Sequence, residues 1–234
     1  MAKIKIKLSM KEIVIVGLGG QGPKLAGDCL VHAALLEGKY AQSRPCYGPE
    51  RRAGVVTVFY RISDTPIRKK CTFMEADCIL LMHEYLFEDF MSSGLIAAGS
   101  VVKNGPSLLR FDDSMLRGML YFGGTGVTDV KLRKGGVLIA NARLNPEEIK
   151  FKADIKPSRV ATLDAHAISR GIYGDRPIPI VNTIMMGAFV KATNLLKLNS
   201  VIDAIKHRWP EAADLNIKAT LMGYEATKVV EIRL

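Results

Sequence analysis

One run of residues is built for backbone chemistry: Gly17-Leu18-Gly19-Gly20-Gln21-Gly22, which satisfies G-x-G-x-x-G. Placed after a strand and before a helix, such a run turns backbone N–H groups and the positive end of the helix toward a phosphate. Lys24 would add a cation in the first helical turn. The same run also suits a tight strand-to-helix turn that needs positive φ at glycine and close helix–sheet approach, with no ligand at all.

A second group lies in Arg44-Pro45-Cys46-Tyr47-Gly48-Pro49-Glu50-Arg51-Arg52-Ala53-Gly54, a stretch of Pro, Gly and charge expected to be an exposed, conformationally specified loop. Arg51 and Arg52 present planar forks of donors suited to phosphate oxygens, with Tyr47 on the same loop. Arg68, Lys69 and Lys70 form another basic cluster, which fits a phosphate, a neighbouring subunit or a solvated strand end. His83 and Glu84 follow an apolar strand and so sit at its C-terminal end, where ligands collect in open α/β sheets. An ordinary hydrogen-bonded strand-end histidine fits His83 as well.

Several chemistries find no support. A dinucleotide reading needs an acidic residue about 20 residues beyond the glycines to hold the ribose. Residues 40–44, Tyr-Ala-Gln-Ser-Arg, offer none, and only Arg44 would suit the extra phosphate of NADP. Cys29, Cys46, Cys71 and Cys78 include no CxxC pair, so they lack metal or iron–sulfur spacing and are expected to be buried thiols. The net charge of +10 favours anionic partners, but its dispersal in small clusters argues against a nucleic-acid groove. No apolar run approaches membrane-spanning length and none resembles a signal peptide, so a cytoplasmic protein with no membrane or nucleic-acid partner is expected.

These groups must be held by a frame, and 234 residues with 48% hydrophobic content suffice for one good-sized domain, 1–234. Residues 12–16, Glu-Ile-Val-Ile-Val, predict a strand covered on both faces. Leu25, Cys29, Ala33 and Leu36 then recur at helical spacing, with Pro23 in the first turn and Gly38 as the stop. Two strands follow in succession, 40–43 and 53–62, which breaks the βαβαβ order of a nucleotide-binding half. Further core strands are predicted at 78–82, 136–140 and 159–164, and helices at 182–196, 200–208 and 216–230. Between about 91 and 129 lie seven glycines and a possible strand at 100–103. That stretch is expected to be an inserted loop subdomain, and its apolar Leu116, Met119, Leu120, Tyr121 and Phe122 suit a partner contact. The fold class is α/β: an open, mainly parallel Rossmann-like sheet with helices on both faces and an inserted loop subdomain.

In order and spacing, six blocks resemble the gamma subunit of pyruvate and 2-oxoacid:ferredoxin oxidoreductases, over about 11–91 and 127–228. They are Gly17-Leu18-Gly19-Gly20-Gln21-Gly22; Gly38-Lys39-Tyr40-Ala41-Gln42; Tyr47-Gly48-Pro49-Glu50-Arg51-Arg52-Ala53-Gly54; Arg61-Ile62-Ser63-Asp64 with Pro66-Ile67-Arg68; Lys134-Gly135-Gly136; and Asn182-Thr183-Ile184-Met185-Met186-Gly187-Ala188. The resemblance implies a multi-subunit enzyme that decarboxylates a 2-oxoacid on thiamine diphosphate, passes electrons through iron–sulfur clusters to ferredoxin and transfers the acyl group to coenzyme A. Thiamine diphosphate, Mg and the clusters are then expected on partner chains, the alpha, beta and ferredoxin-like delta subunits, since their motifs are missing here.

For this chain the resemblance implies coenzyme A binding and no activity alone. Carried over by position, Arg51 and Arg52 match a basic pair that contacts coenzyme A phosphates in fused relatives, and Asn182 an asparagine near that site. Gly17, Gly19, Gly20, Gln21, Gly22, Lys24 and Tyr47 complete the expected binding set, with no catalytic residue and no metal ligand. Pro23-Lys24 and Ala53 depart from the usual pattern. A free-standing NADP-dependent reductase and a purely structural subunit are the two alternatives.

Overall fold

The computed structural model of the chain describes residues 9–47, 54–97 and 129–233. Arg51, Arg52, the expected strand at 100–103 and the apolar residues from Leu116 to Phe122 lie outside the described residues.

Strand β1, Lys11–Leu18, is buried from Glu12 onward, as its unbroken apolar run requires of a strand covered on both faces. Gly22 then adopts φ 83° and Pro23 opens α1, Pro23–Leu36, where a missing N–H loses no hydrogen bond. The chain returns as two strands without a helix between them, β2 (Tyr40–Tyr47) and β3 (Val55–Ser63). β4 (Glu75–Leu81), α2 (Glu84–Ser93), β5 (Leu95–Ala97) and β6 (Asp129–Asn141) follow, then β7 (Arg159–Leu163) and α3 (Ala165–Tyr173). The C-terminal part is α4 (Asn182–Thr193), α5 (Leu198–Arg208), α6 (Ala213–Ala226) and β8 (Lys228–Glu231).

One sheet has the order β2-β3-β1-β4-β6-β7-β8, with β5 added on β6. β1, β4, β6 and β7 are parallel neighbours at its centre, whereas β3, β5 and β8 run against their neighbours. β2 is antiparallel to β3 and therefore points the same way as β1. The expected mainly parallel sheet is thus present, with antiparallel strands toward its margins. Alternation of side chains sends Ile13 and Ile15 to one face, packed against α1, α4 and α5, and Val14 and Val16 to the other, packed against α2. Helices cover both faces.

Helix α4 is the keystone of the first face: every residue from Asn182 to Val190 is buried. It crosses α6 so closely that a Cβ on Gly187 would stand 2.1 Å from the Thr220 carbonyl oxygen, and one on Gly223 2.1 Å from that of Ile184.

Three expectations are corrected. Arg44 to Tyr47 belong to strand β2, paired with β3 through Tyr47↔Val56, so the connecting loop is shorter than its composition suggested. The last helix stops at Ala226, because Thr227 turns extended (φ −65°, ψ 123°) and the β-branched Val229 and Val230 pair with β7. Cys29 and Cys78 are buried, but Cys46 is half-buried and Cys71 exposed. Ala97 and Asp129 are cross-strand partners.

Candidate functional site

The carboxyl rim of the parallel strands gathers most of the described residues that the sequence singles out. At the end of β1 the Leu18 N–H donates to Gln21 Oε1 at 2.8 Å, and the Gln21 N–H to the Leu18 carbonyl at 3.0 Å. Gly20 and Gly22 both lie at positive φ, 96° and 83°. The glycines also make room: a Cβ on Gly20 would stand 3.1 Å from Ile178, and one on Gly22 2.9 Å from the amide nitrogen of Asn182. The turn therefore does structural work, as the ligand-free account requires, seating α4 and the 174–181 segment against it.

Asn182 is 5% exposed, and its Oδ1 has no hydrogen-bond partner among the described residues. A buried acceptor left unmatched beside a helix N-terminus calls for a donor from outside this framework. Lys24 does not face the turn as a free cation; it pairs with Asp28 one helical turn on, at 2.6 Å, a bond that raises its pKa. Tyr47, at the end of β2, is 57% exposed.

Strand direction sets Tyr47 and Gly54, the described residues on either side of 48–53, at the rim that holds the glycine turn. Because β2 points the same way as β1, the β2–β3 connection emerges at the carboxyl rim. Its last residue is bound there: the Gly19 N–H donates to the Gly54 carbonyl at 2.8 Å, and Val55 pairs with Leu18. Arg44 is turned elsewhere, donating to the Lys70 carbonyl at 2.8 Å.

Sequence reasoning missed a polar group at the same rim. Gln21, its amide oriented by Leu18, sets its Nε2 3.4 Å from Nε2 of His166, and the His83 and His166 rings lie 4.9 Å apart edge to face. Asn141 donates to the Met82 carbonyl at 3.0 Å and accepts from the Ala165 N–H at 2.8 Å, tying β4 to α3. Asn141 and His166 each follow an apolar strand, the same signal that marked His83. His83 caps α2, its Nδ1 accepting from the Tyr85 N–H at 3.3 Å, so the ring proton of the neutral form sits on Nε2.

Burial, and then the neighbouring His166, hold His83 down to about 4 from 6.5. The folded chain resists protonation that the unfolded chain accepts, so stability is complete above pH 6.5 and is lost as pH falls toward 4, by up to about 1.4 kcal/mol per pH unit. His83→Asn, which keeps a capping side chain, should flatten the dependence of Tm on pH in that window. An unchanged profile would show that His83 titrates normally.

A family model described as pyruvate ferredoxin/flavodoxin oxidoreductase matches residues 12–226. The chain is 35% identical over 224 residues to the pyruvate/ketoisovalerate oxidoreductases common subunit gamma of Thermococcus litoralis, covering 95% of this chain and 100% of the relative. It is 32% identical over 197 residues to the pyruvate synthase subunit PorC of Methanosarcina barkeri, covering 84% and 85%. Among solved structures, the pyruvate oxidoreductase subunit PORC of Thermotoga maritima superposes with a TM-score of 0.63 at 24% identity, over 96% of this chain and 100% of that one. A 2-oxoglutarate:ferredoxin oxidoreductase of Magnetococcus marinus, solved with 2-oxoglutarate, coenzyme A and succinyl-CoA bound, gives 0.60 at 14% identity, over 94% of this chain and 31% of that one. At such identities the two structures speak to the fold alone.

Proposed function

The chain belongs to the pyruvate ferredoxin/flavodoxin oxidoreductase family as a gamma-type subunit, and we propose that its own task is to hold coenzyme A at the carboxyl rim while partner chains carry out the redox chemistry. The observation that carries this reading is the bond from the Gly19 N–H to the Gly54 carbonyl, 2.8 Å, which sets Gly54, two residues after Arg52 in sequence, on the glycine turn. Two guanidiniums close in sequence to Gly54 would suit the phosphates of an anionic carrier. Ile178 closes the Gly20 side of the turn and the Gly19 N–H is already donated to the Gly54 carbonyl, so in this reading the phosphates rest on the arginines more than on the N–H groups of the turn. Asn182 would supply the buried acceptor to a donor group of the ligand.

Coenzyme A, when bound, supplies the thiol that takes the acyl group. The residues of this chain bind and orient it, which is catalysis by positioning. Thiamine diphosphate, Mg and the iron–sulfur clusters belong, in this reading, to the alpha, beta and delta-type partners, with ferredoxin receiving the electrons. Among the described residues no group of three or more His, Cys, Asp or Glu could hold a metal ion, and no helix is long and apolar enough to cross a membrane.

Titrating the purified chain with coenzyme A and, separately, with NADPH tests the assignment. Coenzyme A at about 100 times its Kd should stabilise the fold by about 2.7 kcal/mol, raising Tm by several degrees, and NADPH should leave Tm in place. The opposite pattern supports a free-standing NADP-dependent reductase acting through Arg44. Silence with both ligands supports a structural subunit. The chain alone should not oxidise 2-oxoacids in a dye-reduction assay, and turnover by the isolated chain would overturn the division of labour.

A further inference from the structure

The amino rim, opposite the candidate ligand site, carries a charge arrangement that coenzyme A binding does not use. Its acids are matched. Glu12 pairs with Arg61 at 3.0 Å and Arg133 at 3.6 Å, Asp77 with Arg133 at 2.7 Å and Lys11 at 3.8 Å, and Glu75 with Arg133 at 3.7 Å. Beyond these pairs stand Arg68, Lys69, Lys70, Lys131 and Lys134, all exposed and with no acidic partner among the described residues.

The first three sit on a strap with a fixed backbone. Gln42 donates to the Lys69 carbonyl at 2.8 Å, Arg44 to the Lys70 carbonyl at 2.8 Å, and the buried Arg61 reaches the Lys69 carbonyl at 3.4 Å. Ser63 Oγ accepts the Thr65 N–H at 3.1 Å at one end, and Phe73 packs edge-on against Phe59 at 5.0 Å at the other. Drawing two successive carbonyls inward leaves the charged side chains outward on an ordered backbone, which lowers the entropy lost when they meet a partner. A solvated charge run needs no such clamp.

The size of the patch selects the partner. Lys131 and Lys134 are on β6, three strand steps from β3, or about 14 Å at the usual strand spacing. That span exceeds one phosphate group. Glu12, Glu75 and Asp77, each held in an ion pair, divide the unpaired cations into two groups, which suits a protein face that places carboxylates opposite each group better than the even charge spacing of a phosphodiester backbone. We infer that the amino rim, through Arg68, Lys69, Lys70, Lys131 and Lys134, docks an acidic face of another polypeptide of the assembly; the inference rests on the subunit role above.

The test is made on the complex purified with its companions. Zero-length carbodiimide coupling should join Lys69 or Lys70 to an aspartate or glutamate of another chain. Lys69→Gln with Lys70→Gln and Lys134→Gln should keep the Tm of the isolated chain, weaken association about tenfold near 0.1 M salt, and differ little from wild type near 1 M, where charges are screened within about 3 Å. A complex that forms but gives no such cross-link, or whose triple variant dissociates at the same salt as wild type, overturns the docking inference alone. So does tight, salt-dependent binding of a DNA duplex by the free chain that the triple variant loses. A wild-type chain that purifies without companions overturns the subunit role and this inference with it.

Discussion

Gly187→Ala and Gly223→Ala are each expected to lower Tm by roughly 10 °C. Added at Gly187, the methyl would lie 2.1 Å from the Thr220 carbonyl oxygen and 2.7 Å from the Tyr224 nitrogen. At Gly223 it would meet the Ile184 carbonyl oxygen, also at 2.1 Å. Alanine is the better helix former by about 1 kcal/mol, so propensity alone predicts a gain. Sterics win, because every obstacle is backbone and no rotamer change can clear it. The two helices must part, and α4 has no free side toward which to move, being buried from Asn182 to Val190. Overpacking costs about 1 to 3 kcal/mol where side chains can adjust, and the upper end or more applies here. At 2–4 °C per kcal/mol for a chain of this size, about 3 kcal/mol net gives a fall of about 6 to 12 °C. Thermal unfolding followed by circular dichroism measures it. Gly171→Ala is the control: it is an exposed position in α3 where an added Cβ meets nothing within 4 Å, so a gain of up to about 1 kcal/mol is expected. If Gly187→Ala unfolds with the wild type, the close crossing of α4 and α6 is wrong.

That crossing shows what a sequence does and does not reveal. The apolar period around Ile184 and Ala188 marks a helix, and the run from Glu12 to Val16 marks a buried strand, because both signals are local. Nothing local says that Gly187 faces Gly223, 36 positions later. The strand β8 was hidden for a related reason: Lys228 to Glu231 continues a plausible helical pattern, and only pairing with β7 makes it extended. Arg44 to Tyr47 read as loop from its Pro45 and charge, yet β2 is an edge strand, where proline and charge are tolerated. In the candidate site, Gly17 to Gly22 and Asn182 were legible by type and order. Asn141 and His166 were not, since each looks like an ordinary polar residue after a strand until the sheet brings four strand ends together. Cys71 was misjudged from type alone, because a cysteine beside Arg68, Lys69 and Lys70 shares their exposure.

Arg51→Ala with Arg52→Ala should raise the KM for coenzyme A about 10²-fold in the assembled enzyme and leave kcat at saturation nearly unchanged. β2 runs with β1 and β3 against it, so the segment joining them leaves and re-enters the sheet at the rim where Gly17 to Gly22 turn into α1. The Gly54 carbonyl, two residues after Arg52 in sequence, accepts from the Gly19 N–H at 2.8 Å. Hydrogen bonds to charged groups contribute about 1.5 to 3 kcal/mol each, and solvent at an exposed rim favours the low end. Two of them sum to about 3 kcal/mol, or about two decades in affinity. In the proposed role these groups would touch phosphates far from the reacting thiol, so their contribution would be equal in ground and transition states, which moves KM and spares kcat. Arg51→Lys with Arg52→Lys should retain charge but lose the bidentate fork, and should fall between wild type and the alanine pair. A KM for coenzyme A that stays at the wild-type value in the alanine pair would remove the anion-binding role and leave this chain as scaffold. A fall in kcat at constant KM would place the pair nearer to the acyl transfer than the rim geometry allows.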